Sequence, residues 1–551
     1  MDPDHYDLVI TGAGIHGLIL AKTYLESSPT SSVLIIDSAA SIGGVWAAER
    51  LYPGLKTNNL VGSYEFSDFP LNAARYGLKA GQHIPGPVVH EYLKDFAERF
   101  DLTRHVRFNT LLETAERLGD GSWRLTTTTT TTTTVQSGDS SPPPPSTSQN
   151  APHSGPPATN TTIIHTTRLV LATGLTSQPS IPQFPAQATF DRPILHSLDL
   201  RRSAPLLSRA RRIVVLGGNK SAFDAAYGAA TSASGTEVHM VMRPSGGGPS
   251  WVWPVTITPF SLSVQRMATT RLFALMDPTP WILAGSPTQS VKHLSIWILL
   301  RYLLHRTFLG RVLVTAFWAV IGGFITRANG YASHPELAKL RPWTSVAWMG
   351  NSLSIHNYAT DFFALVRRGR IKVHVADIAR LGPGGAVYLS DGEAIGDVDA
   401  LVCCTGWQVA PTVRFLPEGL AGRLGVPGPP VENVVIEMHD PAADITNADV
   451  QAARAQIRRE TPMLRHEPTR TLPVSVPEPT PVPPPGAAHK QHQQDQKSSR
   501  SKLEASPAAT CWRLYRFLIP IPSAANLQRN IAFMGTHLSV AATLVAQAQA
   551  L

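Results

Sequence analysis

The chain is poor in cysteine and poor in charge. Cys403, Cys404 and Cys511 are its only cysteines among 551 residues. Three thiols cannot build a disulfide framework, so a reducing, cytoplasmic setting is expected. No CxxC pair occurs, which excludes dithiol redox chemistry. Charged residues make up 16% of the chain, against about 25% in ordinary globular proteins. The balance is nevertheless basic, with a net charge of +9 and a pI near 9.5. Zinc-ligand spacings and basic helices with interleaved aromatics are both missing, so neither a metal nor a nucleic acid is an expected partner. A basic protein that handles anionic small ligands fits better. The start, MDPDHYDLVITGAG, is acidic and lacks the basic n-region of a signal peptide.

Long apolar runs are also scarce. The strongest is Val312–Ile325, fourteen residues, short of the roughly 20 that span a bilayer. Arg301, Arg306 and Arg311 interrupt any longer span. A helix is expected over this block. It suits the core of an insertion, a dimer interface, a substrate gate or a patch that rests on a membrane surface.

What is present begins with a βαβ unit. YDLVIT reads as a buried strand, LILAKTYLESS as a helix, and VLIID as a second strand ending at Asp37. Gly12, Gly14 and Gly17 between strand and helix form GxGxxG. Gly12 allows the tight turn, Gly14 lets the backbone approach a pyrophosphate, and Gly17 permits close helix–strand packing. The helix N-terminus turns its positive dipole end to the phosphates. Asp37, twenty residues after Gly17, can accept hydrogen bonds from ribose hydroxyls and repels a 2′-phosphate. A second unit, RRIVVLGGNKSAFDAAYGAA, has Gly217, then Asn219 where a glycine is usual, then Ala222. Asn tolerates positive φ, which keeps the turn feasible. Lys220 at the helix start adds positive charge near a phosphate. Arg243 closes the following strand, VHMVMR, where the first unit has its acid. It reads either as a bidentate fork for a 2′-phosphate or as a strand-end surface charge. The contrast assigns a dinucleotide without a 2′-phosphate to the first unit and one that carries it to the second.

Two tracts break this pattern. Nine consecutive threonines (126–134) open a Pro/Ser-rich stretch to about residue 160. A second runs over about 467–507. Neither holds enough apolar surface to fold alone, and both are expected to be disordered.

SIGGVW (41–46), YPGLKTNN (52–59) and EFSDFP (65–70) resemble the flavin-containing monooxygenases. The hinge-like LVLATGLTSQPSIP (169–182) and ALVCCTGW (400–407) resemble that family's two crossovers, and RNIAFMGT its final strand. RPSGGGPSW (243–251) and NGYASHPEL (329–337) look like fungal enzymes of secondary metabolism. The resemblance implies two Rossmann-like α/β domains: an FAD domain over 1–186 and 408–551, and an inserted NADPH domain over 187–407 with an apolar helical insertion near 270–345. It implies that Gly44, Val45 and Trp46 cover the flavin ribityl chain and that Leu112 and Gly535 lie against the same cofactor. Ser221 joins Lys220 at the second nucleotide. Thr57 and Asn58 match the pair beside the isoalloxazine. There an Asn amide can donate to a flavin peroxide; TNN is equally good turn chemistry. The implied reaction uses NADPH and O2 through a C4a-(hydro)peroxyflavin to oxygenate a small lipophilic metabolite. The fingerprint FxGxxxHxxx plus aromatic is imperfect: Phe190 and His196 are present, but Arg192 replaces glycine and Leu200 the aromatic. That leaves Baeyer–Villiger oxygenation, an NADPH oxidase and a non-catalytic flavoprotein open. His196 is either a contact of the nicotinamide nucleotide or a structural histidine. The chain stops inside a helical run, which reads as an incomplete C-terminus.

Overall fold

The computed structural model describes residues 4–131, 158–232, 235–257, 262–277, 296–349, 354–428, 447–465, 468–472, 512–520, 530–536 and 542–551. The first strand, β1 (Asp4–Thr11), leads into α1 (Ile15–Ser27) and β2 (Val33–Ile36). β3 (Lys56–Leu60) pairs antiparallel with β4 (His83–Pro85) apart from the main sheet. After α2 (Gly86–Arg99) that sheet continues through β5 (Val106–Arg107), β6 (Thr110–Arg117), β7 (Trp123–Thr131) and β8 (Ala158–Leu171). β1 runs parallel between β2 and β8. Leu8, Val9 and Ile10 are buried to 2% exposure or less, because helices or further strands cover both faces of a parallel sheet.

A second, five-stranded parallel sheet follows. It contains β9 (Ile194–His196), β10 (Arg212–Leu216) and, after α3 (Lys220–Ala230), β11 (Glu237–Met242). β12 (Val252–Trp253) then leads to the insertion, with α4 (Val264–Ala268), α5 (Ile296–Arg306), α6 (Phe308–Asn329) and β13 (Ser354–Ile355). The sheet is completed by β14 (Ile371–Val375) and β15 (Ala400–Cys403) in the order β14–β11–β10–β15–β9. β16 (Arg414–Leu416) and β17 (Ile531–Phe533) return to the first sheet, β16 beside β6 and β17 beside β8. α7 (Ala542–Ala550) packs on α1. The architecture is α/β with two dinucleotide-type sheets.

The threonine tract corrects a sequence expectation. Thr126–Thr131 are not a disordered insertion but the second half of β7, paired with Ala158–Ile163 of β8. Thr127 is fully buried, and its Oγ1 lies 2.9 Å from that of Thr162. Burial of apolar area was the wrong criterion. A β-branched run inside a ladder takes its backbone hydrogen bonds from its neighbours and packs on a pleated surface. Residues 132–157 lie outside the described residues, as do 473–511 and with them Cys511. Of the second tract, 468–472 is ordered against the insertion, where the Thr471 amide donates to the Trp343 carbonyl at 2.8 Å.

α6 corrects another. It is 22 residues, long and apolar enough by length and composition to cross a membrane. Counting from Val312 missed its first turn, where Thr307 caps the helix through the Gly310 amide at 3.0 Å. A third of its apolar window is buried, with Val314, Trp318, Ile321 and Ile325 packed in the core that holds Trp251, Val264 and Phe273. A Cβ on Gly310 would meet the Leu303 carbonyl at 2.1 Å, so α5 and α6 close into a tight hairpin.

Burial pushes the imidazoles of His239 and His356 from the ordinary 6.5 down to about 4. The folded protein therefore favours their neutral forms. The stability this represents is complete above pH 6.5 and lost as pH falls towards 4. Thermal melts should show a falling Tm across that window, with on the order of a few kcal/mol gone at its end. A flat Tm between pH 6.5 and 4.5 would contradict the burial of these rings.

Candidate active site

The turn after β1 is built from glycines that no other residue can replace for the same reason twice. Gly12 has φ +112°, and a Cβ there would sit 2.4 Å from the Ala172 carbonyl oxygen. At Gly17 a Cβ would come within 1.9 Å of the Gly12 carbonyl oxygen. Gly14 differs: its φ of −86° and ψ of −170° suit any residue, and its Cβ would come no nearer than 3.5 Å to the Gly43–Gly44 backbone. Gly14 is thus small towards the open side of the turn, not for its own conformation. That side is a cavity of about 700 Å³ lined by Gly12, Gly14, Asp37, Gly44, Val45, Leu112 and Gly535. Asp37 Oδ2 accepts from the Ala13 amide at 2.6 Å and Oδ1 from the Ala39 amide at 2.8 Å. Burial raises its pKa, and these two bonds oppose the rise. One lone pair on each oxygen remains for a ligand. Trp46 stands behind the wall, donating from Nε1 to the hydroxyl of Tyr64, which lines the cavity.

The second turn repeats the first. Gly217 has φ +142°, and a Cβ there would lie 2.4 Å from the Cys404 carbonyl oxygen. Asn219 caps α3 with φ −89° and ψ 176°, nearly the backbone of Gly14. The expectation that this position relies on tolerance of positive φ is therefore corrected; a side chain here is allowed because the conformation is extended. Ala222 is fully buried. Ser221 lies one residue inside α3 and is partly buried. Arg243 follows β11 and is exposed, and among the described residues its guanidinium makes no hydrogen bond. Its charge lowers the pKa of Asp377, which burial raises.

Lys220 does not extend into open space. Its ammonium pairs with Asp224, donates to Asn357 Oδ1 and the Tyr358 hydroxyl at 3.2 Å each, and lies 4.5 Å from the Tyr358 ring centre. Tyr52 and Tyr358 also donate to Asp224, at 3.0 and 2.8 Å. This cluster ties α3 to the first domain and to the insertion. It also reaches β3, where Asn357 Nδ2 donates to the Thr57 carbonyl at 3.1 Å. Thr57 is buried, its hydroxyl occupied by the Asn59 carbonyl and the Ile84 amide. Asn58 falls on the opposite side of β3, partly exposed, and its side-chain amide makes no hydrogen bond among the described residues.

His196 is not brought to this place. It is 1% exposed. Nδ1 accepts from the Leu198 amide at 3.2 Å and Nε2 lies 3.0 Å from the Gly406 carbonyl. Its ring meets Trp407 edge-on at 4.8 Å. With both nitrogens taken by backbone and burial lowering its pKa, it is a neutral residue that caps a turn at the crossover. Of the two readings the sequence left open for His196, these partners favour the structural one.

Residues 6–140 match the family described as flavin-binding monooxygenase-like, and residues 149–270 match L-lysine 6-monooxygenase/L-ornithine 5-monooxygenase. The FAD-dependent monooxygenase resA of Aspergillus sclerotiorum is 31% identical to this chain, over 99% of it and 82% of the relative. The chain belongs to the FAD-dependent monooxygenases. A second FAD-dependent monooxygenase, from Pyrenophora dematioidea, is 31% identical over 99% of the chain and 87% of its own length. An oxidized steroid monooxygenase bound to NADP shares the fold, with a TM-score of 0.50 and 18% identity over 75% of this chain and 74% of that one.

Sequence reading passed over several residues of this FAD-dependent monooxygenase. Arg50 lines the first cavity, donates to the Thr176 carbonyl at 2.9 Å and lies 5.3 Å from the Trp407 ring. Gln265 bridges α4 to the first domain, accepting from the Leu60 amide at 2.9 Å and donating to Ser63. Only the Lys220–Asp224 spacing of four residues on a helix was readable beforehand.

Proposed function

We propose that this FAD-dependent monooxygenase takes its electrons from NADPH and oxygenates a small lipophilic metabolite, of the polyketide type met in fungal secondary metabolism. The observation that carries this reading is the contrast at the ends of β2 and β11. A half-buried carboxylate held by two amides stands at one, and at the other an exposed arginine whose guanidinium makes no hydrogen bond among the described residues. FAD fits the first cavity: its ribose would meet Asp37, and its pyrophosphate the helix α1 end at Gly14, with Arg50 as a cation nearby. Gly44, Val45, Leu112 and Gly535 would line its course. At the second turn Gly217 and Ser221 would approach the phosphates of NADPH and Arg243 its 2′-phosphate. Lys220 would act there by anchoring α3, since Asp224 already neutralises it. A bound flavin supplies hydride acceptance from the nicotinamide and activation of O2. Around it, Thr57 fixes β3 through its hydroxyl, and Asn58 offers an amide with its donors free. The Tyr52–Asp224 and Asn357–Thr57 bonds hold the domains together and keep bulk water out.

Arg243→Ala is the direct test. Losing a charge-assisted bidentate contact costs about 1.5–3 kcal/mol, or about one to two decades of affinity. NADPH should weaken by that factor in stopped-flow titrations while NADH stays almost unchanged. Equal weakening of both would make Arg243 structural and end the second-site assignment.

A further inference from the structure

We propose that α6 is a membrane-surface helix, which lays its outer face on an anionic phospholipid bilayer. The proposal goes beyond the nucleotide sites and does not depend on them. Leu309, Leu313, Ala316, Val320 and Phe324 recur every three or four residues, so they share one face. That face is open: Leu309 is 68% exposed, Leu313 52%, Val320 58%, and Phe308 at its start 77%. At 1.5 Å per residue the stripe is about 22 Å long. Tyr302 and Leu303 on the preceding α5 are exposed as well. Soluble monomers rarely leave so continuous an apolar strip to water.

The opposite face decides how such a helix meets lipid. Val314, Trp318, Ile321 and Ile325 are locked into the insertion core, and Trp318 Nε1 donates to the Met276 carbonyl at 2.9 Å. To cross a bilayer the helix would have to leave that core. Lying in the interface, it buries only the face that is already exposed.

Charge selects the occupant. Between Asp277 and Glu336 the chain has no acidic residue, while Lys292, Arg301, Arg306, Arg311 and Arg327 all fall there. Arg301 is spent on the Ala274 and Asp277 carbonyls. Partly exposed Arg306, over the Tyr302 ring, and Arg311, which donates to the Arg306 carbonyl at 2.9 Å, stand at one end of the stripe, and exposed Arg327 at the other. Cations at both ends of an apolar strip match anionic headgroups around acyl chains. A second copy on the same face would set these arginines against their own kind, since a twofold interface repeats one patch on both sides.

The position of α6 gives the contact a use. The helix ends at a cavity of about 540 Å³ lined by Ala328, Asn329, Gly330, Pro254, His356 and Tyr358 among others. Tyr358 belongs to the cluster on Lys220, and its neighbour Asn357 holds Thr57. A lipophilic molecule dissolved in the bilayer would thus meet the protein at the end nearest β3.

Flotation of the full-length, FAD-loaded protein with vesicles tests the proposal. It should float with phosphatidylcholine–phosphatidylserine vesicles, less with phosphatidylcholine alone, and less again at high salt. The triple variant Leu309→Glu, Leu313→Glu, Val320→Glu changes only exposed positions. It should keep its flavin spectrum and Tm, yet lose about a hundredfold or more of its vesicle partitioning. A parent that stays unbound with both vesicles overturns the proposal. So does a variant that floats as the parent does, or a parent dimer that the three substitutions dissociate while vesicle binding is absent. Flavin content and coenzyme preference, read on the same preparations, report separately on the nucleotide sites.

Discussion

Gly14→Val should purify as a folded, colourless protein, while Gly17→Ala should lose much of its thermal stability. The two glycines share one motif but answer to different neighbours. Gly14 has an extended backbone, and its first added carbon comes no nearer than an ordinary 3.5 Å to the Gly43–Gly44 backbone. Valine is comfortable there. Its methyl groups would fill the space between Gly14 and Gly44, both of which line the first cavity, and so exclude a pyrophosphate from the helix end. Circular dichroism and Tm of the apoprotein should match those of the parent stripped of flavin, and the visible flavin bands should be absent. At Gly17 a single methyl lies 1.9 Å from the Gly12 carbonyl oxygen, a backbone atom that cannot step aside. Overpacking of that kind costs about 3 kcal/mol or more, so a large drop in Tm is the expected readout. A yellow Gly14→Val protein would remove FAD from this cavity.

Asn58→Leu should turn an oxygenase into an oxidase. The side chain is free of intramolecular hydrogen bonds among the described residues, while its neighbour Thr57 is consumed by structure. On the proposed reading, this amide, on a strand held by Asn357, would donate to reduced oxygen species at the flavin. Leucine keeps the size and removes the donor. FAD binding and NADPH consumption should persist within a factor of a few, because neither depends on that amide. Oxygenated product should fall by about 100-fold, the loss typical of one such donor, with hydrogen peroxide released nearly in step with NADPH consumed. A peroxide assay beside product analysis measures both. Product formation at the parent's rate would make Asn58 a turn residue only.

Much of this site was readable because its logic is local. Gly12, Gly14, Gly17 and Asp37 sit in one βαβ unit, and the spacing alone places the carboxylate against the turn. Gly217 and Arg243 repeat that geometry in the second sheet. What escaped notice depends on contacts across long stretches of chain. Asn357 and Tyr358 follow the apolar insertion and carry no motif, yet they decide what Lys220 touches. Arg50 is one charged residue in an unremarkable turn until the fold folds it over Trp407. His196 carried two readings in the sequence, and only the partners of its two nitrogens show that it caps a turn. The threonine tract misled because composition judges a segment in isolation, whereas β6 and β8 supply everything that β7 lacks.

β8 has a further consequence. Its first half pairs with β7, but from Leu169 to Leu171 its outer edge is taken by Ile531–Phe533. During synthesis that edge stays bare while the whole second sheet and the insertion are made. The first sheet is therefore completed only after the second sheet and the insertion have emerged. Contacts so distant in sequence close slowly, and an open strand edge invites wrong pairing until they do. Order of emergence, rather than strength of any single contact, should set how much of this protein reaches its native state.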